Sequence, residues 1–301
     1  MRKVWIAHPQ GRDLLSVPAD VTVEVYAGEL PSDPAGVEFW VPPFLASGPP
    51  VELAKELPDL RVIQLLSAGA EVWVGRVPGG VTLCDARGVH DSSTSEWVLT
   101  AVLAYLREFP AFARAQAHRE WAYRVTDELA GKRVLVVGAG SIGAAIEARL
   151  APFEVSVTRV ARRARPGVYA VDALPELLPR HDVVILIVPL TSATHGMVDA
   201  AFLAAMPDGA LLVNAARGPV VDTDALVAEV ATGRIGAAVD VTDPEPLPAG
   251  HPLWNLPNVL LTPHVGGSVR GLLPRAYRLV DAQLRRYLAG KPLDNVVTDG
   301  Y

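Results

Sequence analysis

The stretch that decides the fold is Val134–Gly143, which reads VLVVGAGSIG. An apolar run leads directly into three spaced glycines and then into small and apolar residues, which is typical of a strand, a tight turn and a helix. The first glycine permits the turn, the second lets a ligand approach the backbone, and the third lets the helix pack on the strand. The free amides of the helix N-terminus attract an anion. The pattern predicts a dinucleotide pyrophosphate at Gly138, Gly140, Ser141, Ile142 and Gly143; a glycine-rich turn without a ligand is the alternative.

Strand-like and helix-like segments alternate on both sides of this stretch. Before it, strands are predicted at Val4–Ala7, Leu60–Leu66 and Val81–Asp85. From Gly131 onward, they are predicted at Arg133–Val137, Glu154–Val160, Val183–Val188, Ala210–Val213, Gly236–Val239 and Val259–Leu261. The later strands are apolar on both faces, which indicates a parallel sheet covered by helices on each side. Long helical patterns cover Ser95–Ala117, which Pro110 is expected to kink or divide, and Leu272–Leu288.

Composition and charge argue against a nucleic-acid-binding, membrane or secreted protein. A net charge of −6 gives no basic footprint for nucleic acid, and no apolar run is long enough to span a membrane. The N-terminal apolar stretch is too short for a secretory leader, and a single cysteine, Cys84, suits the reducing cytoplasm. We therefore expect a cytoplasmic protein with no membrane or nucleic-acid partner. Cys84 lies in an apolar run and is expected to be a buried small side chain rather than a nucleophile.

The segment after the glycine turn bears on the choice of cofactor. An NAD-binding domain usually places a carboxylate at the end of its second strand, where it binds the ribose 2′-hydroxyl. Residues 155–165 contain no carboxylate, and Ala161 stands at that position, followed by Arg162 and Arg163. Guanidinium groups bind a 2′-phosphate well, so the sequence favours NADP, with NAD possible. A solvated basic loop is the alternative.

Polar residues follow three later strands. Arg217 comes after the strand that ends near Asn214, Asp240 and Glu245 after the next, and His264 after the last. Each has an ordinary structural explanation, such as a helix cap, a turn or an exposed carboxylate. Ligands of open α/β sheets bind beyond the carboxyl ends of the strands, however, so these side chains are expected around one crevice. No metal-ligand set is predicted.

Two blocks of sequence resemble the D-isomer-specific 2-hydroxyacid dehydrogenases, in particular the glyoxylate/hydroxypyruvate reductases. They are Leu129–Gly143 (LAGKRVLVVGAGSIG) and Leu211–His264, which begins LLVNAARGPVVDTDAL and ends NLPNVLLTPH. The resemblance implies NAD(P)H-dependent reduction of a small 2-oxo acid to the D-2-hydroxy acid, and the reverse reaction. It implies that His264 is the acid and base, that Glu245 orients it, and that Arg217 grips the substrate carboxylate and polarises the 2-oxo group.

The same resemblance implies further contacts. For the substrate it indicates the backbone of Ala68 and Gly69, although this segment also suits an ordinary strand-to-helix turn. For the cofactor it indicates Thr94, Val188, Pro189, Thr191, Ala215, Asp240 and Gly266.

The resemblance also implies the domain organisation and the oligomeric state. A Rossmann-type doubly wound parallel sheet, residues 94–274, is expected to be inserted into a smaller flavodoxin-like α/β substrate domain, residues 1–93 and 275–301. A homodimer is expected, with the long helical pattern, Trp121 and Tyr123 as candidate interface residues; packing of these residues within one chain is the alternative.

Two other functions are consistent with the sequence. One is oxidation of another small anion, such as formate or phosphite; it is less favoured because Gln64–Glu71 carries no additional cation to hold an oxyanion. The other is a dinucleotide-sensing binding protein that acts like a corepressor. Loss of turnover in a His264→Ala variant would favour the enzyme, and unchanged biological activity in that variant would favour the binding protein.

Overall fold

A computed structural model of the chain describes residues 2–26, 32–44 and 50–298. The chain divides into two compact units: unit 1 comprises Met1–His90 and Val269–Tyr301, and unit 2 comprises Asp91–Ser268. The boundaries expected from sequence were after residues 93 and 274, whereas the units divide after His90 and after Ser268. Unit 2 is therefore an insertion in the sequence of unit 1.

Unit 2 is built on a parallel sheet. Its described residues form seven strands: β6 (Arg133–Val137), β7 (Ser156–Ala161), β8 (Tyr169–Ala170), β9 (Val183–Leu186), β10 (Leu211–Asn214), β11 (Gly236–Val239) and β12 (Val259–Leu261). Their order across the sheet is β12-β11-β10-β9-β6-β7-β8. The chain runs outward from β6 in one direction and from β9 in the other, so the strand order reverses between them. This is the Rossmann arrangement, and its ligand crevice lies at that reversal.

Helices cover both faces of this sheet because successive strand residues point to opposite sides. The helices of unit 2 are α2 (Asp91–Leu106), α3 (Phe109–Ala117), α4 (Ser141–Leu150), α5 (Leu174–Leu177), α6 (Ala200–Ala205) and α7 (Thr223–Ala231). Val134 and Val136 lie in one apolar core with residues of α2 and α4, whereas Leu135 and Val137 lie in another with residues of α5, α6 and α7. The expected doubly wound α/β class is confirmed.

Unit 1 has a second parallel sheet. In its described residues five strands follow the order β2-β1-β3-β4-β5, which is the flavodoxin-like order. They are β1 (Arg2–Ile6), β2 (Val21–Val25), β3 (Val37–Val41), β4 (Val62–Gln64) and β5 (Thr82–Cys84). Its α-helices are α1 (Pro9–Arg12) and α8 (Leu272–Leu288), and Pro50–Glu56 forms a 3-10 helix. Val4 and Ile6 pack with α8, and Trp5 packs in a separate core on the other face.

The segments predicted from sequence differ from the observed elements mainly at their ends. The long pattern over Ser95–Ala117 is two helices, separated where Glu108 takes a left-handed φ of 51° and with Pro110 in the first turn of α3. The second strand of unit 2 begins at Ser156 because Glu154 turns the chain with a φ of 58°. The strands β2, β3 and β8 were not predicted.

Candidate active site

The glycine turn joins β6 to α4 at the strand reversal. Gly138 has a φ of 123°, and a Cβ there would lie 2.9 Å from Ile187 Cγ2 and closer still to the Ile187 carbonyl. A Cβ at Gly143 would collide with the Gly138 carbonyl, whereas one at Gly140 would meet no atom within 4 Å. Packing therefore requires glycine at Gly138 and Gly143. Gly140 leaves open the side of the turn from which a pyrophosphate would approach. Ser141 begins α4, and Ile142 packs against the apolar core beneath.

The basic segment begins where β7 ends, at Ala161. Arg162 and Arg163 are exposed in the loop that follows. Arg165, which sequence reasoning did not select, donates from Nη2 to the carbonyl of Ala139 at 2.5 Å. Because Ala139 lies between the first two glycines of the turn, this bond fixes the basic loop next to the glycine turn. The only signal for Arg165 in the sequence was its place in the same basic run.

Other residues expected at the cofactor lie in the segments that follow β9 and β10 and in the first turns of α2. The loop that includes Val188 is shaped by Thr194 Oγ1, which accepts from the amide of Thr191 at 2.8 Å and donates to the Pro189 carbonyl at 2.6 Å. The amide of Ala215 donates to the Leu186 carbonyl at 3.1 Å, which joins the ends of β9 and β10. Thr94 is buried in the first turns of α2.

The turn that carries Arg217 is held by Asn214, the last residue of β10. Asn214 Oδ1 accepts from the Ala216 amide at 3.0 Å, and its Nδ2 donates to the Arg217 carbonyl at 3.1 Å. Arg217 is half-buried, and its Nη1 donates to the Ala216 carbonyl at 2.7 Å. A Cβ at Gly218 would collide with the backbone of Thr242, so this turn packs directly on the segment leading to Glu245. Sequence reasoning did not assign a role to Asn214.

Glu245 and His264 form a hydrogen-bonded pair. His264 Nδ1 lies 2.6 Å from Glu245 Oε1, and the two side chains are 28% and 41% exposed. A carboxylate at this distance accepts from Nδ1–H, so Nε2 is the ring nitrogen that does not face Glu245. Both side chains are therefore partly open to solvent. The structure therefore brings together the predicted acid–base residue and the residue predicted to orient it.

Asp240, expected at the cofactor, is buried and binds the loop around His264. Its Oδ1 accepts from Thr262 Oγ1 at 2.6 Å and from the Val265 amide at 2.9 Å, and its Oδ2 accepts from the Gly266 amide at 2.7 Å. A carboxylate has about four acceptor positions, so Oδ2 retains capacity for one more donor. Gly266, also expected at the cofactor, is buried beside it.

Ala68 and Gly69, expected to bind the substrate, belong to unit 1. They follow β4 in a loop where Ser67 Oγ donates to the Gly69 carbonyl at 2.7 Å. The amide of Ala86 donates to the Ser67 carbonyl at 2.8 Å, which ties this loop to the end of β5.

Two searches of residues 2–26, 32–44 and 50–298 gave negative results. None of the helices there combines the length and apolar character needed to cross a membrane. No three His, Cys, Asp or Glu side chains there are grouped so as to hold a metal ion.

Comparison with known proteins places this arrangement in a family. Residues 99–266 match the family model described as D-isomer specific 2-hydroxyacid dehydrogenase, NAD binding domain. A formate dehydrogenase of Arabidopsis thaliana is 32% identical, with 84% of this chain and 77% of that protein covered. A glyoxylate reductase of Thermofilum pendens is 33% identical, with 80% and 75% covered.

A solved structure extends the likeness to the whole chain. The D-isomer specific 2-hydroxyacid dehydrogenase of Xanthobacter autotrophicus Py2, in complex with NADPH and MES, superposes with a TM-score of 0.85 at 32% identity. The match covers 100% of this chain and 99% of that one. This chain therefore belongs to the D-isomer specific 2-hydroxyacid dehydrogenase family.

Proposed function

We propose that the protein reduces a small 2-oxo acid to the D-2-hydroxy acid with NADPH, and catalyses the reverse reaction. The observation that carries the proposal is the 2.6 Å pair of His264 Nδ1 and Glu245 Oε1 at the same sheet edge as the glycine turn. In the forward direction a 2-oxo acid, NADPH and a proton give a 2-hydroxy acid and NADP⁺. The bound cofactor supplies the hydride that forms the new C–H bond at C2.

The residues of this chain supply the proton and the binding. His264 gives the Nε2 proton to the oxygen on which negative charge develops, and takes it back in the reverse direction. Glu245 fixes the tautomer and the direction of the ring and balances the charge of the imidazolium. Arg217 binds the carboxylate and stabilises the charge that grows on the 2-oxo oxygen. The backbone of Ala68 and Gly69 is proposed as a second binding element for the carboxylate.

The cofactor is bound by the turn from Gly138 to Gly143, with Ser141 and Ile142 at the start of α4. Arg162 and Arg163, joined by Arg165, form the site for the 2′-phosphate. The absence of a carboxylate from residues 155–165 and the NADPH in the related crystal structure support NADP over NAD. The remaining contacts are assigned to Thr94, Val188, Pro189, Thr191, Ala215, Asp240 and Gly266.

The Glu245–His264 pair favours 2-oxo acid reduction over formate oxidation, although a formate dehydrogenase is among the relatives. Formate gives up a hydride and becomes CO₂, and this step leaves no alkoxide to protonate. Reduction of a 2-oxo group does create one, so an oriented acid is useful only there.

A substrate panel with both cofactors tests the proposal. Glyoxylate, hydroxypyruvate, formate and phosphite are assayed with the NADPH/NADP⁺ and NADH/NAD⁺ couples. Reduction of a 2-oxo acid, with kcat/KM at least about tenfold higher for NADPH than for NADH, is expected. Replacing Arg162, Arg163 and Arg165 by alanine removes that preference. Turnover of formate alone, or a clear NADH preference in the unaltered chain, contradicts the proposal.

A homodimer is proposed as the working form. Trp121, Tyr123 and Val125 are 97%, 86% and 86% exposed, and Phe109 is 61% exposed. Large apolar side chains clustered on a surface usually contact a partner. Light scattering is expected to give twice the chain mass of 32.0 kDa, and a Trp121→Ser, Tyr123→Ser variant is expected to give a monomer. A monomeric mass for the unaltered protein contradicts this assignment.

A further inference from the structure

A chain of hydrogen bonds connects Trp97, on α2, with the loop that carries His264. Trp97 Nε1 donates to Thr262 Oγ1 at 3.0 Å, and Thr262 Oγ1 donates to Asp240 Oδ1 at 2.6 Å. The direction is fixed because an indole nitrogen can only donate and a carboxylate can only accept. The indole N–H therefore binds one lone pair of the Thr262 hydroxyl oxygen. The single proton of that hydroxyl is left to be donated to the Asp240 carboxylate.

Asp240 in turn holds three successive backbone amides. The amide of His264 donates to the Asp240 carbonyl at 2.7 Å, and those of Val265 and Gly266 donate to its carboxylate at 2.9 and 2.7 Å. Asp240 is only 4% exposed, and hydrogen bonds to a charged group are strong where water is excluded. The backbone on both sides of the imidazole is thus fixed to a single buried residue.

This loop needs such support. His264 has a φ of 54°, a left-handed conformation that is strained for a residue with a side chain and persists only where the surroundings hold it. The neighbouring Gly266 has no space for a side chain, because a Cβ would lie 2.9 Å from Asp240 Oδ2 and 3.5 Å from Trp97 Cγ. Both the carboxylate and the indole therefore contact the loop directly.

We propose that Trp97 is a positioning residue for His264, an inference that rests on the proposed acid–base function of that histidine. Loss of the indole N–H frees the Thr262 hydroxyl to rotate away from Asp240. The loop then relaxes from its left-handed conformation, and the imidazole spends less time in line with Glu245 and the substrate. Trp97 does not touch the reacting atoms in this account, so its effect falls on the rate of turnover rather than on substrate binding.

The test compares matched variants. Trp97→Phe keeps an aromatic ring and removes the N–H. Thr262→Val removes the hydroxyl, whereas Thr262→Ser keeps it. Trp5→Phe is the control, because Trp5 Nε1 makes a similar bond of 2.9 Å to Glu24 Oε2 in unit 1. Each variant is measured for kcat and KM with glyoxylate and NADPH, for Tm, and for hydrogen exchange of a peptide covering 262–268.

Trp97→Phe and Thr262→Val are expected to lower kcat by about tenfold to a hundredfold, with little change in either KM. Combining them is expected to add little to the larger single effect, because both break the same chain of bonds. Thr262→Ser is expected to retain kcat, and Trp5→Phe to match the unaltered protein. Exchange at positions 264–266 is expected to be faster in Trp97→Phe than in Trp5→Phe.

Several results would overturn the inference. They are an unchanged kcat in Trp97→Phe, unchanged exchange at 264–266, or a Thr262→Ser variant as slow as Thr262→Val. An unaltered protein that reduces no 2-oxo acid counts instead against the proposed function, and the exchange measurement then still decides whether Trp97 anchors the loop. If Trp97→Phe fails to fold, the two Thr262 variants decide.

Discussion

Each unit places a histidine just beyond the carboxyl end of a strand, and the two histidines have different surroundings. In unit 2, His264 Nδ1 is 2.6 Å from the Glu245 carboxylate. In unit 1, His8 follows β1, and its Nδ1 lies 3.3 Å from the Tyr277 hydroxyl. Burial lowers the pKa of His8, since a charged imidazole there loses hydration without gaining a counter-charge.

The comparison indicates which neighbouring group allows a histidine at a strand end to act as an acid and base. Both sheets are parallel and both are packed on two faces, so the architecture alone does not distinguish the sites. A carboxylate that accepts from Nδ1 places a negative charge beside the ring and fixes its direction, whereas a tyrosine hydroxyl supplies no charge. The chemistry is therefore expected at His264, and His8 is expected to serve packing.

Replacing each histidine by alanine tests that contrast and should give the largest effect on kcat. His264→Ala is expected to lower kcat for glyoxylate by about a thousandfold, because the proton donor is lost. His8→Ala is expected to leave kcat nearly unchanged and to lower Tm slightly. Steady-state assays and thermal unfolding of both variants supply the comparison, and equal losses of kcat would refute it.

Glycines at positive φ give a second contrast between the units. Gly138 in unit 2 is crowded by the backbone of Ile187, whereas Gly75 in unit 1 has a φ of 75° with no atom within 4 Å of an added Cβ. Gly138→Ala is expected to raise the Kd for NADPH by about tenfold to a hundredfold, since the turn must move to relieve about 1–3 kcal/mol of strain. Gly75→Ala is expected to cost about 1 kcal/mol of stability and leave that Kd unchanged. Calorimetric titration distinguishes these results; a normal Kd for Gly138→Ala would place the cofactor elsewhere.

Two aspartates should differ in how their charge affects stability. In unit 2, the hydrogen bonds from Arg133 hold the pKa of Asp182 below its usual range, so its ionised form stabilises the fold above the unfolded-state pKa. That stability is lost as the pH falls through the lowered folded-state pKa. In unit 1, burial raises the pKa of Asp85, so its ionised form at neutral pH is unfavourable.

Replacing each aspartate by asparagine measures how much its charge contributes to stability. Asp182→Asn is expected to lower Tm by about 2–4 °C at pH 7, and the deficit should shrink as the pH is lowered past the Asp182 pKa. Asp85→Asn keeps an acceptor for the Arg87 amide and is expected not to lower Tm at pH 7. Calorimetry of both variants from pH 7 downwards checks the sign, and a larger loss of Tm for Asp85→Asn would contradict it.

The smallest effect is expected for chemical labelling of Cys84, which reports on the opening of unit 1 alone. Cys84 is the single cysteine of the chain and is fully buried at the end of β5. Burial raises its pKa to about 12, so almost no thiolate is present near neutral pH. A thiol reagent is expected to label Cys84 only in molecules in which unit 1 has opened, so the labelling rate is set by that opening. Rapid labelling of the native protein would show that Cys84 is accessible.

The sequence predicted some parts of this protein much better than others. The glycine turn and α8 were predictable because each has a strong local pattern, and α8 spans the predicted Leu272–Leu288. The strands β2 and β8 lie at sheet edges and are only partly buried, so their apolar signal is weak. The bond from Trp97 to Thr262 joins residues 165 positions apart, and a helix pattern identifies Trp97 only as an apolar residue.

Transfer of a label from cofactor to product tests the central claim most directly. NADPH deuterated at the transferred position of the nicotinamide is mixed with the protein and hydroxypyruvate, and the product is analysed by NMR and chiral chromatography. The account predicts deuterium at C2 of a D-2-hydroxy acid, with formation of this product almost abolished in His264→Ala. Absence of the labelled product, an L product, or equal labelling rates in the two proteins would contradict it.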